Sequence, residues 1–306
     1  MIQLNIKTKN DLAKHLSKWW DYKNILELIN EVNKNLWNYY YNHKDSDKQN
    51  NKFNRVAKWP LELLNRLIND NILKELDKKL PNFIFWGISN KNHIQAVKIH
   101  KSKYNRTFIK FDLERYFDQI DMDRIIWNLV KKCWCNKIWA VNIAQLCCVP
   151  EWEFFNTESN KVLARWFHTS TRIAILCSLD FFKQLNFFLQ RYYKSLKPKI
   201  SIFVDDITIS IDNTDEDRIN LLKKKVYELW EKHNLKLNNS KTKVYENTNI
   251  VEVLWVKLQN LVLKPWKKTI WKRKIAYAKW NKWDKKAIIS IKWHRNYRNS
   301  LDKASW

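Results

Sequence analysis

Three aspartates occur beside runs of alternating apolar residues, where carboxylates are uncommon. Asp112 lies near the end of the run from Thr107 to Leu113, and the pair Asp205 and Asp206 separates two further alternating runs. Aspartate is depleted in strands, and adjacent carboxylates repel one another unless a cation neutralises them. Three carboxylates that converge on two Mg²⁺ ions would suit in-line nucleotidyl transfer. An acidic surface turn is the alternative for Asp205 and Asp206.

Two β-elements would position these aspartates. The alternation from Thr107 to Leu113 predicts a strand in which Phe108, Lys110 and Asp112 share one face. The alternation on both sides of the aspartate pair predicts a β-hairpin with the two acids at its tip.

Helical spacing predicts the elements around these strands. Residues 10–80 are basic with helical spacing, interrupted by a polar stretch at 43–52. The segment from Thr169 to Leu196 predicts a long helix with Thr169 and Ser170 available as caps, and Asp121 is typical of a helix N-cap. Further predictions are a helix at about 217–233, a second hairpin at 251–263 that turns near 259–260, and a lysine-rich helical tail. One continuous α+β architecture is the simplest interpretation.

The charge of the chain predicts a polyanionic partner. Its 306 residues contain 57 Lys and Arg against 31 Asp and Glu, a net charge of +26. Nucleic acid is the first candidate and an anionic membrane surface the alternative, although no long apolar run or signal peptide is visible. Five cysteines in poor disulfide spacing indicate a reducing compartment, expected to be the cytoplasm. A zinc site at Cys133, Cys135, Cys147 and Cys148 is another use of these thiols.

The glycine content is unusual. The chain has 1 Gly and 18 Trp, whereas average usage of about 7% would give roughly twenty glycines. Folds need residues with positive φ, which glycine adopts most readily. We hypothesise that many Trp positions are glycines in the natural protein, from a gene whose UGA codons mean Gly but were translated as Trp. UGG codons at Trp86, Trp166 and Trp255 would contradict this hypothesis.

The order of several motifs resembles that of bacterial reverse transcriptases. Residues 111–117, FDLERYF, resemble the first catalytic motif, and residues 203–206, FVDD, resemble the aromatic-x-Asp-Asp motif. Between them, LARWFHTS at 163–170 is similar to the Leu-Pro-Gln-Gly-x-x-Thr-Ser loop, with Trp166 at the glycine position. KLNNSKT at 236–242 resembles the lysine-bearing motif, and VLW at 253–255 resembles the primer-grip turn. The resemblance covers roughly residues 83–297.

The resemblance implies a right-hand polymerase fold with fingers, a palm that contains an antiparallel sheet, and a small helical thumb. The expected boundaries are N-terminal helices and fingers at 1–106, a palm at 107–257 with a fingers insertion at about 133–163, and a thumb at 258–306.

The resemblance also implies roles for individual residues. Asp112, Asp205 and Asp206 would be catalytic and would bind two Mg²⁺ ions together with the carbonyl of Leu113. Phe117 would lie under the sugar of the incoming deoxynucleotide and exclude a 2′-hydroxyl. The residues expected to contact the nucleotide are Arg165, Trp166 and Lys241. Lys241 is also the expected proton donor to pyrophosphate, with Lys243 as the alternative donor. The expected nucleic-acid contacts are Lys91, Arg106, Lys267, Lys268, Lys272 and Arg273. A core phenylalanine, a surface arginine and solvated lysines are the alternatives.

The implied activity is RNA-directed DNA synthesis on an RNA template with a DNA or RNA primer and deoxynucleoside triphosphates. A retron-like or antiviral phage-defence enzyme, with a cognate non-coding RNA, fits the compact size. Two departures from retron enzymes are the extra residue before histidine in QAVKIH at 95–100 and VLW in place of Val-Thr-Gly. The alternatives are untemplated or protein-primed DNA synthesis, and a catalytically degenerate basic RNA-binding protein.

Overall fold

The computed structural model describes residues 9–17, 22–47, 52–88, 91–133, 135–151, 160–266, 270–272, 274 and 285–305. The α-helices are α1 (Lys9–Leu16), α2 (Tyr22–Lys34), α3 (Leu61–Asn71), α4 (His93–Lys98), α5 (Met122–Cys133), α6 (Lys137–Cys147), α7 (Ser170–Tyr192), α8 (Glu216–Lys232) and α9 (Lys285–Ser305). The strands are β1 (Tyr40–Asn42), β2 (Arg55–Ala57), β3 (Arg106–Asp112), β4 (Cys148–Pro150), β5 (Lys161–Leu163), β6 (Lys199–Phe203), β7 (Asp206–Asp212), β8 (Lys243–Thr248), β9 (Ile250–Val253), β10 (Val256–Gln259) and β11 (Val262–Pro265). This mixture of helices and antiparallel sheets confirms the predicted α+β class.

A four-stranded antiparallel sheet with the order β6-β7-β3-β8 lies at the centre of the fold. The predicted strand at 107–113 is β3, and the predicted hairpin with two acids at its tip is β6 and β7. In the register of this sheet, Asp112 pairs with Asp206 and Phe203 pairs with Asp206 from the other side. The sheet therefore brings the two acidic segments to the same end.

The two faces of this sheet pack into different hydrophobic clusters. Ile109, Phe111 and Ile207 belong to the main core, which α7 and α8 cover. Phe108 and Phe203 belong to a second cluster, formed with residues of α4, α9 and the three-stranded sheet β11-β10-β9. The alternation in the sequence predicts this division, because successive strand residues point to opposite faces.

Trp230 on α8 fixes the helical layer against the sheet. Its ring stacks on Phe181 of α7 at 5.1 Å between centroids and meets Phe111 of β3 edge-on at 5.4 Å. Only 1% of Trp230 is exposed. Burial of a large aromatic side chain contributes on the order of 2–3 kcal/mol, so this tryptophan is part of the core.

The helix predicted at 169–196 is α7, which ends at Tyr192. Thr169 lies at the N-cap position as predicted, but no side-chain hydrogen bond caps the helix. Thr169 donates to Oδ1 of the buried Asn65 at 2.7 Å, and Ser170 donates to the carbonyl of Ala164 at 2.6 Å. The two hydroxyls instead connect the start of α7 to α3 and to the preceding loop. The prediction of Asp121 as a cap is confirmed, since its carboxylate accepts the N–H of Arg124 at 2.7 Å.

Two short β-elements differ from the sequence prediction. Residues 10–80 are largely helical as expected, but β1 and β2 form an antiparallel pair on either side of the polar stretch. The second hairpin is part of a three-stranded sheet, since β9 adds to β10 through a further turn at Leu254 and Trp255. Strands of three or four residues carry too little alternation to stand out in a sequence.

Among the described residues, no helix is long and apolar enough to cross a membrane.

His100, just after α4, joins two strands of the central sheet from within the protein. Its ring nitrogens lie 2.8 Å from the hydroxyl of Ser210 on β7 and 2.8 Å from that of Ser201 on β6. The ring is fully buried. Burial, together with the nearby positive charges of Lys199 and Arg106, lowers the pKa of His100 to about 3.

We expect His100 to make the fold sensitive to acid. In the unfolded chain its pKa returns to about 6.5, so the unfolded state binds a proton first as the pH falls. The stabilisation is complete above about pH 6.5 and is lost progressively toward pH 3, by on the order of 5 kcal/mol. Urea unfolding between pH 7 and pH 4 should show a shallower pH dependence for His100→Gln than for the wild type. Equal slopes would contradict this assignment.

Candidate active site

The loop between β6 and β7 carries Asp205 and is fixed by the strand that carries Asp112. Val204 adopts a left-handed conformation with φ of 62°, which is rare for a β-branched residue and marks a constrained backbone. The carbonyl of Asp205 accepts the backbone N–H of Leu113 at 3.0 Å. This hydrogen bond, with the register of Asp112 opposite Asp206, sets the three aspartate backbones beside one another.

The segment that resembles the lysine-bearing motif lies on the other side of Asp112. The carbonyl of Asp112 accepts the N–H of Asn238 at 2.9 Å, and the N–H of Glu114 donates to the carbonyl of Lys236 at 3.0 Å. A 3₁₀ turn at Asn239–Lys241 follows. It brings Nζ of Lys241 to 3.0 Å from Oδ2 of Asp112.

Burial and neighbouring carboxylates raise the pKa values of Asp205 and Asp206. Burial, together with the negative charges of Asp205 and Asp112, raises the pKa of Asp206 to about 7. Burial and Asp112 also raise the pKa of Asp205, while Lys241 and Arg165 act in the opposite direction. The hydrogen bond to Asp112 raises the pKa of Lys241, so this ammonium is protonated near neutral pH. At Asp206, burial and carboxylate repulsion thus outweigh the opposing effect of Lys110 and Lys241.

The chemistry of these donors fits Mg²⁺, although the side chains are not arranged around an ion. In the part of the chain that the structure describes, no group of three or more His, Cys, Asp or Glu side chains is placed to hold a metal. Asp112 is engaged by Lys241 instead. Clustered hard carboxylate oxygens are nevertheless the donors that a hard divalent cation prefers. The residues fit the ion by donor type and by charge.

Phe117 and Leu113, both predicted site residues, pack on the core side. Leu113 is 1% exposed. Phe117 is half-buried against the main core, with its ring 5.7 Å from that of Tyr116. The hydroxyl of Tyr116 donates within the core to the carbonyl of Ala174 at 2.8 Å. This anchor fixes the turn that carries Phe117, and the turn's partial exposure is compatible with either a core role or a sugar contact.

Arg165 is buried and not a surface residue, in contrast to one alternative from the sequence. Its Nε and Nη2 donate to the two carboxylate oxygens of Asp118 at 3.2 and 2.9 Å. Trp166, the next residue, is 55% exposed with φ of 70°. Its ring lies 4.8 Å from that of His43. The loop therefore turns a guanidinium inward and an indole outward, with the indole in a backbone conformation suited to glycine.

Lys91 and Arg106 are engaged by groups inside the protein, in contrast to the nucleic-acid contacts predicted for them. The ammonium of Lys91 donates to three carbonyls, of Pro81, Asn82 and Ile84, at 3.0–3.4 Å. Arg106 is 3% exposed and donates to Asp212 at 2.7 Å. Burial lowers the pKa of both groups. Because internal oxygens engage both cations, their placement does not favour phosphate binding.

Part of the predicted nucleic-acid contact lies on the tail. Lys272 is exposed and lines a cavity of about 400 Å³ with His93, Trp255 and Trp293. Lys267, Lys268 and Arg273 lie outside the described residues.

All five cysteines are buried thiols. Burial raises the pKa of Cys133 to about 12, which disfavours the thiolate that a zinc site requires.

Sequence reasoning missed two polar residues near the motifs. Asp118 binds both Arg165 and Arg115, and its position next to Phe117 in the first motif was a signal that could have been used. Asn65 also donates to the carbonyl of Leu146 at 3.0 Å. Nothing in the sequence marks Asn65, because Leu146 and Thr169, two of its partners, are distant along the chain.

The chain matches a protein family and is similar to solved structures. The family model described as reverse transcriptase (RNA-dependent DNA polymerase) matches residues 46–277, more than half of the chain. No curated protein sequence matches. Among solved structures, a telomerase from Candida albicans in complex with a TWJ fragment of telomeric RNA is similar, with a TM-score of 0.39 and 10% sequence identity. The match covers 53% of this chain and 31% of that chain, so the chain spans less than a third of the telomerase's length.

Proposed function

Because this chain belongs to the reverse transcriptase (RNA-dependent DNA polymerase) family, we propose that it copies RNA into DNA with Asp112, Asp205 and Asp206 as catalytic acids. The observation that carries the proposal is the pairing of Asp112 with Asp206 at the end of the central sheet, with Asp205 hydrogen-bonded to Leu113. An isolated acidic turn would not need a third carboxylate on a neighbouring strand.

Each residue of this site has a proposed task. Asp112, Asp205 and Asp206 would hold Mg²⁺, with a further ligand from the carbonyl of Leu113. When bound, Mg²⁺ would acidify the primer's 3′-hydroxyl and neutralise charge on the triphosphate. Lys241, protonated near neutral pH, gives its proton to the departing pyrophosphate.

The division of the chain follows the same proposal. We assign residues 1–106 to N-terminal helices and fingers, 107–257 to a palm with a fingers insertion at about 133–163, and 258–306 to the thumb. The central sheet would then be the palm, and the basic tail would follow the phosphates of a template and primer. Binding should weaken steeply with salt, because each phosphate contact releases counterions.

The biological setting is a further part of the proposal. The motif order supports a bacterial enzyme of the retron-like or antiviral defence type that acts in the cytoplasm with a cognate non-coding RNA. The substrates would be an RNA template, a DNA or RNA primer and deoxynucleoside triphosphates. The departures at residues 95–100 and 253–255 favour a relative of retrons over a retron proper.

We also propose that several tryptophans stand for natural glycines. Trp166 and Trp255 have φ of 70° and 64° and are each more than half exposed. Trp255 follows Leu254, with φ of 48°, in a two-residue loop between β9 and β10. Such a loop with two positive φ values favours glycine at its second position. Trp139 and Trp230 are 1% exposed, which supports tryptophan as the natural residue there.

Primer extension separates the candidate activities. The purified chain is given Mg²⁺, a primed RNA template and all four deoxynucleoside triphosphates, and the products are sequenced. Products complementary to the template support the proposal. Products independent of the template support untemplated or protein-primed synthesis. RNA binding without any synthesis, in a chain with glycine restored at Trp86, Trp166 and Trp255, would favour a degenerate RNA-binding protein.

Phe117 gives a prediction about sugar selection. Phe117→Val should raise the efficiency of ribonucleotide incorporation relative to deoxynucleotide incorporation by roughly tenfold or more, because a smaller side chain leaves room for a 2′-hydroxyl. The measurement is the ratio of kcat/KM for the two nucleotides. Phe188→Val, at another half-buried ring packed against the main core, is the control. An unchanged ratio in Phe117→Val would leave Phe117 as a core residue.

A further inference from the structure

A groove lies between the end of α7 and the side of α8, outside the proposed active site. Its volume is about 490 Å³, within the range of ligand pockets, roughly 300–1,000 Å³. Three aromatic side chains form the α7 wall, those of Phe188, Tyr192 and Tyr193. The hydroxyl of the buried Tyr193 donates to the carbonyl of Arg218 at 2.9 Å. This hydrogen bond fixes the end of α7 against the start of α8, so the groove is part of the packed fold.

The groove lies toward the end of the central sheet that is away from the three aspartates. A 3₁₀ turn links the end of α7 to Lys197, whose carbonyl accepts Nη2 of Arg106 at 2.5 Å. Arg106 begins β3 and Asp112 ends it. The seven residues of this strand span roughly 20 Å. A ligand in the groove would therefore leave the proposed active site open.

Exposed rings on α7 extend the aromatic wall. Phe187 and Tyr192 are 62% and 63% exposed, and the guanidinium carbon of Arg191 lies 5.9 and 5.5 Å from their ring centroids. The ring of Tyr192 also lies 5.1 Å from that of Phe188 in the groove. Contiguous exposed apolar surface marks an interaction site. Rings combined with a guanidinium offer the flat faces on which unpaired bases stack.

The α8 wall carries most of the charge. Arg218, Lys224 and Lys225 line the groove, and Glu228 is the one acid among its described lining residues. Lys225 pairs with Glu228 at 2.9 Å, and Arg218 pairs with Asp215 at 3.7 Å. The side chains of these pairs are 41–61% exposed, so water screens them and a phosphate can compete for the cations. Cations beside flat rings are complementary to a nucleic acid.

We propose that this groove binds an unpaired segment of RNA, with its bases stacked on the rings of α7 and its phosphates held by the cations of α8. Stacking on these rings needs the face of a base, which a duplex keeps inside its helix. One oxygen of Glu228 binds Lys225, and the carboxylate can also accept a ribose 2′-hydroxyl, which DNA lacks. RNA held here would be a part of the molecule other than the one copied at the aspartates. Binding at the groove does not depend on DNA synthesis and goes beyond the proposed function.

Tyr192→Ser tests the stacking contact. The measurement is fluorescence anisotropy of a short labelled oligouridylate, with an excess of unlabelled, fully paired RNA–DNA hybrid to occupy the surfaces that bind a duplex. Tyr192→Ser should weaken binding about tenfold, because it removes a ring that stacks on a base. Tyr192→Phe keeps the ring and should bind like the wild type. The control is Tyr227→Ser, at a partly exposed tyrosine of α8 that is not one of the described residues lining the groove.

Lys224→Gln tests the phosphate contact. It should weaken binding and should reduce the slope of log Kd against log salt concentration by about 0.7. Tyr192→Ser keeps every charge and should leave this slope unchanged. Lys223→Gln is the matched control, because it removes the same charge one residue away, where the ammonium binds Asn220 at 3.3 Å.

Equal losses of affinity in a variant and its matched control would overturn the proposal. Wild-type affinity in folded Tyr192→Ser and Lys224→Gln would also overturn it and would favour a protein partner for the exposed rings. An oligodeoxyuridylate that binds as tightly as the RNA would overturn the choice of RNA.

Photocrosslinking keeps the groove testable if thermal unfolding shows that a variant folds poorly. In the wild type, an RNA that contains 4-thiouridine should crosslink to Phe187 or Tyr192, as mapped by mass spectrometry. Crosslinks only elsewhere on the chain would overturn the proposal. A wild type that binds RNA in the groove but makes no DNA would refute the proposed function alone.

Discussion

Asp205→Asn is expected to reduce DNA synthesis by roughly 10³-fold or more, a loss typical of an essential electrostatic group, while RNA binding is kept. The amide has nearly the same shape as the carboxylate, and the hydrogen bond between Leu113 and residue 205 uses the backbone carbonyl. The fold of the loop should therefore survive. What disappears is one negative charge among three. The measurement is single-turnover primer extension, together with RNA binding by fluorescence anisotropy.

The same substitution should stabilise the protein in the absence of Mg²⁺. The pKa of Asp206 is raised to about 7, above its unfolded value of about 3.9. The favourable contribution of protonated Asp206 is therefore complete below about pH 4 and is lost as the pH rises through 7. Removing the charge of Asp205 should reduce this loss, so that Asp205→Asn unfolds at higher temperature than the wild type at pH 8.

Addition of Mg²⁺ should reverse that order. An ion that binds the folded state at ten times its Kd stabilises it by about 1.4 kcal/mol, and this gain should be smaller in Asp205→Asn. Asp70→Asn, at an exposed acid on α3, is the charge-matched control and should behave like the wild type throughout. Synthesis by Asp205→Asn at the wild-type rate would refute the catalytic role assigned to Asp205.

The sequence predicts the acidic end of the central sheet because the information there is local. Alternation with a period of two identifies β3, β6 and β7 and assigns their faces. Once Asp112 is placed opposite Asp206, the antiparallel register also places Arg106 opposite Asp212. The ion pair of Arg106 is thus within reach of the sequence pattern, whereas the resemblance to reverse transcriptases implies a phosphate contact for this residue.

The features that escaped prediction depend on contacts between distant parts of the chain. The hydroxyl of Thr169 makes no capping hydrogen bond and instead donates to Asn65, 104 positions away. Lys91 has the sequence context of a surface lysine, and only the fold shows that carbonyls near Ile84 surround its ammonium. Local pattern rules favour caps and solvated lysines in such places, and tertiary hydrogen bonds override them.

Glycine substitutions should divide the tryptophans into two classes with opposite effects on stability. Trp166→Gly and Trp255→Gly relieve a left-handed backbone, worth about 1–2 kcal/mol each, against a chain-entropy cost of about 0.5–1 kcal/mol for glycine. We expect the free energy of unfolding to stay unchanged or to rise by up to about 1 kcal/mol. Trp230→Gly leaves a cavity between Phe111 and Phe181. It should lower the free energy of unfolding by about 3–5 kcal/mol or more.

Trp86 tests a different part of the recoding hypothesis. It is absent from the residues with positive φ, and its ring lies 4.4 Å from Phe203 while its Nε1 donates to Thr171 at 3.2 Å. Trp86→Gly should therefore relieve no backbone strain but should remove an indole from beside the β6 and β7 hairpin. Urea unfolding of the single variants measures stability, and primer extension by the triple variant at Trp86, Trp166 and Trp255 measures activity.

The outcome of the two measurements decides whether these tryptophans are natural. If the natural residues are glycines, the triple variant should make at least about tenfold more DNA than the chain as written, because the resemblance to reverse transcriptases assigns the loop at 166 to the nucleotide and the turn at 255 to the primer. Loss of stability in Trp166→Gly and Trp255→Gly comparable to that in Trp230→Gly would show that their indoles are part of the native packing. Continued inactivity of a folded triple variant would also count against recoding.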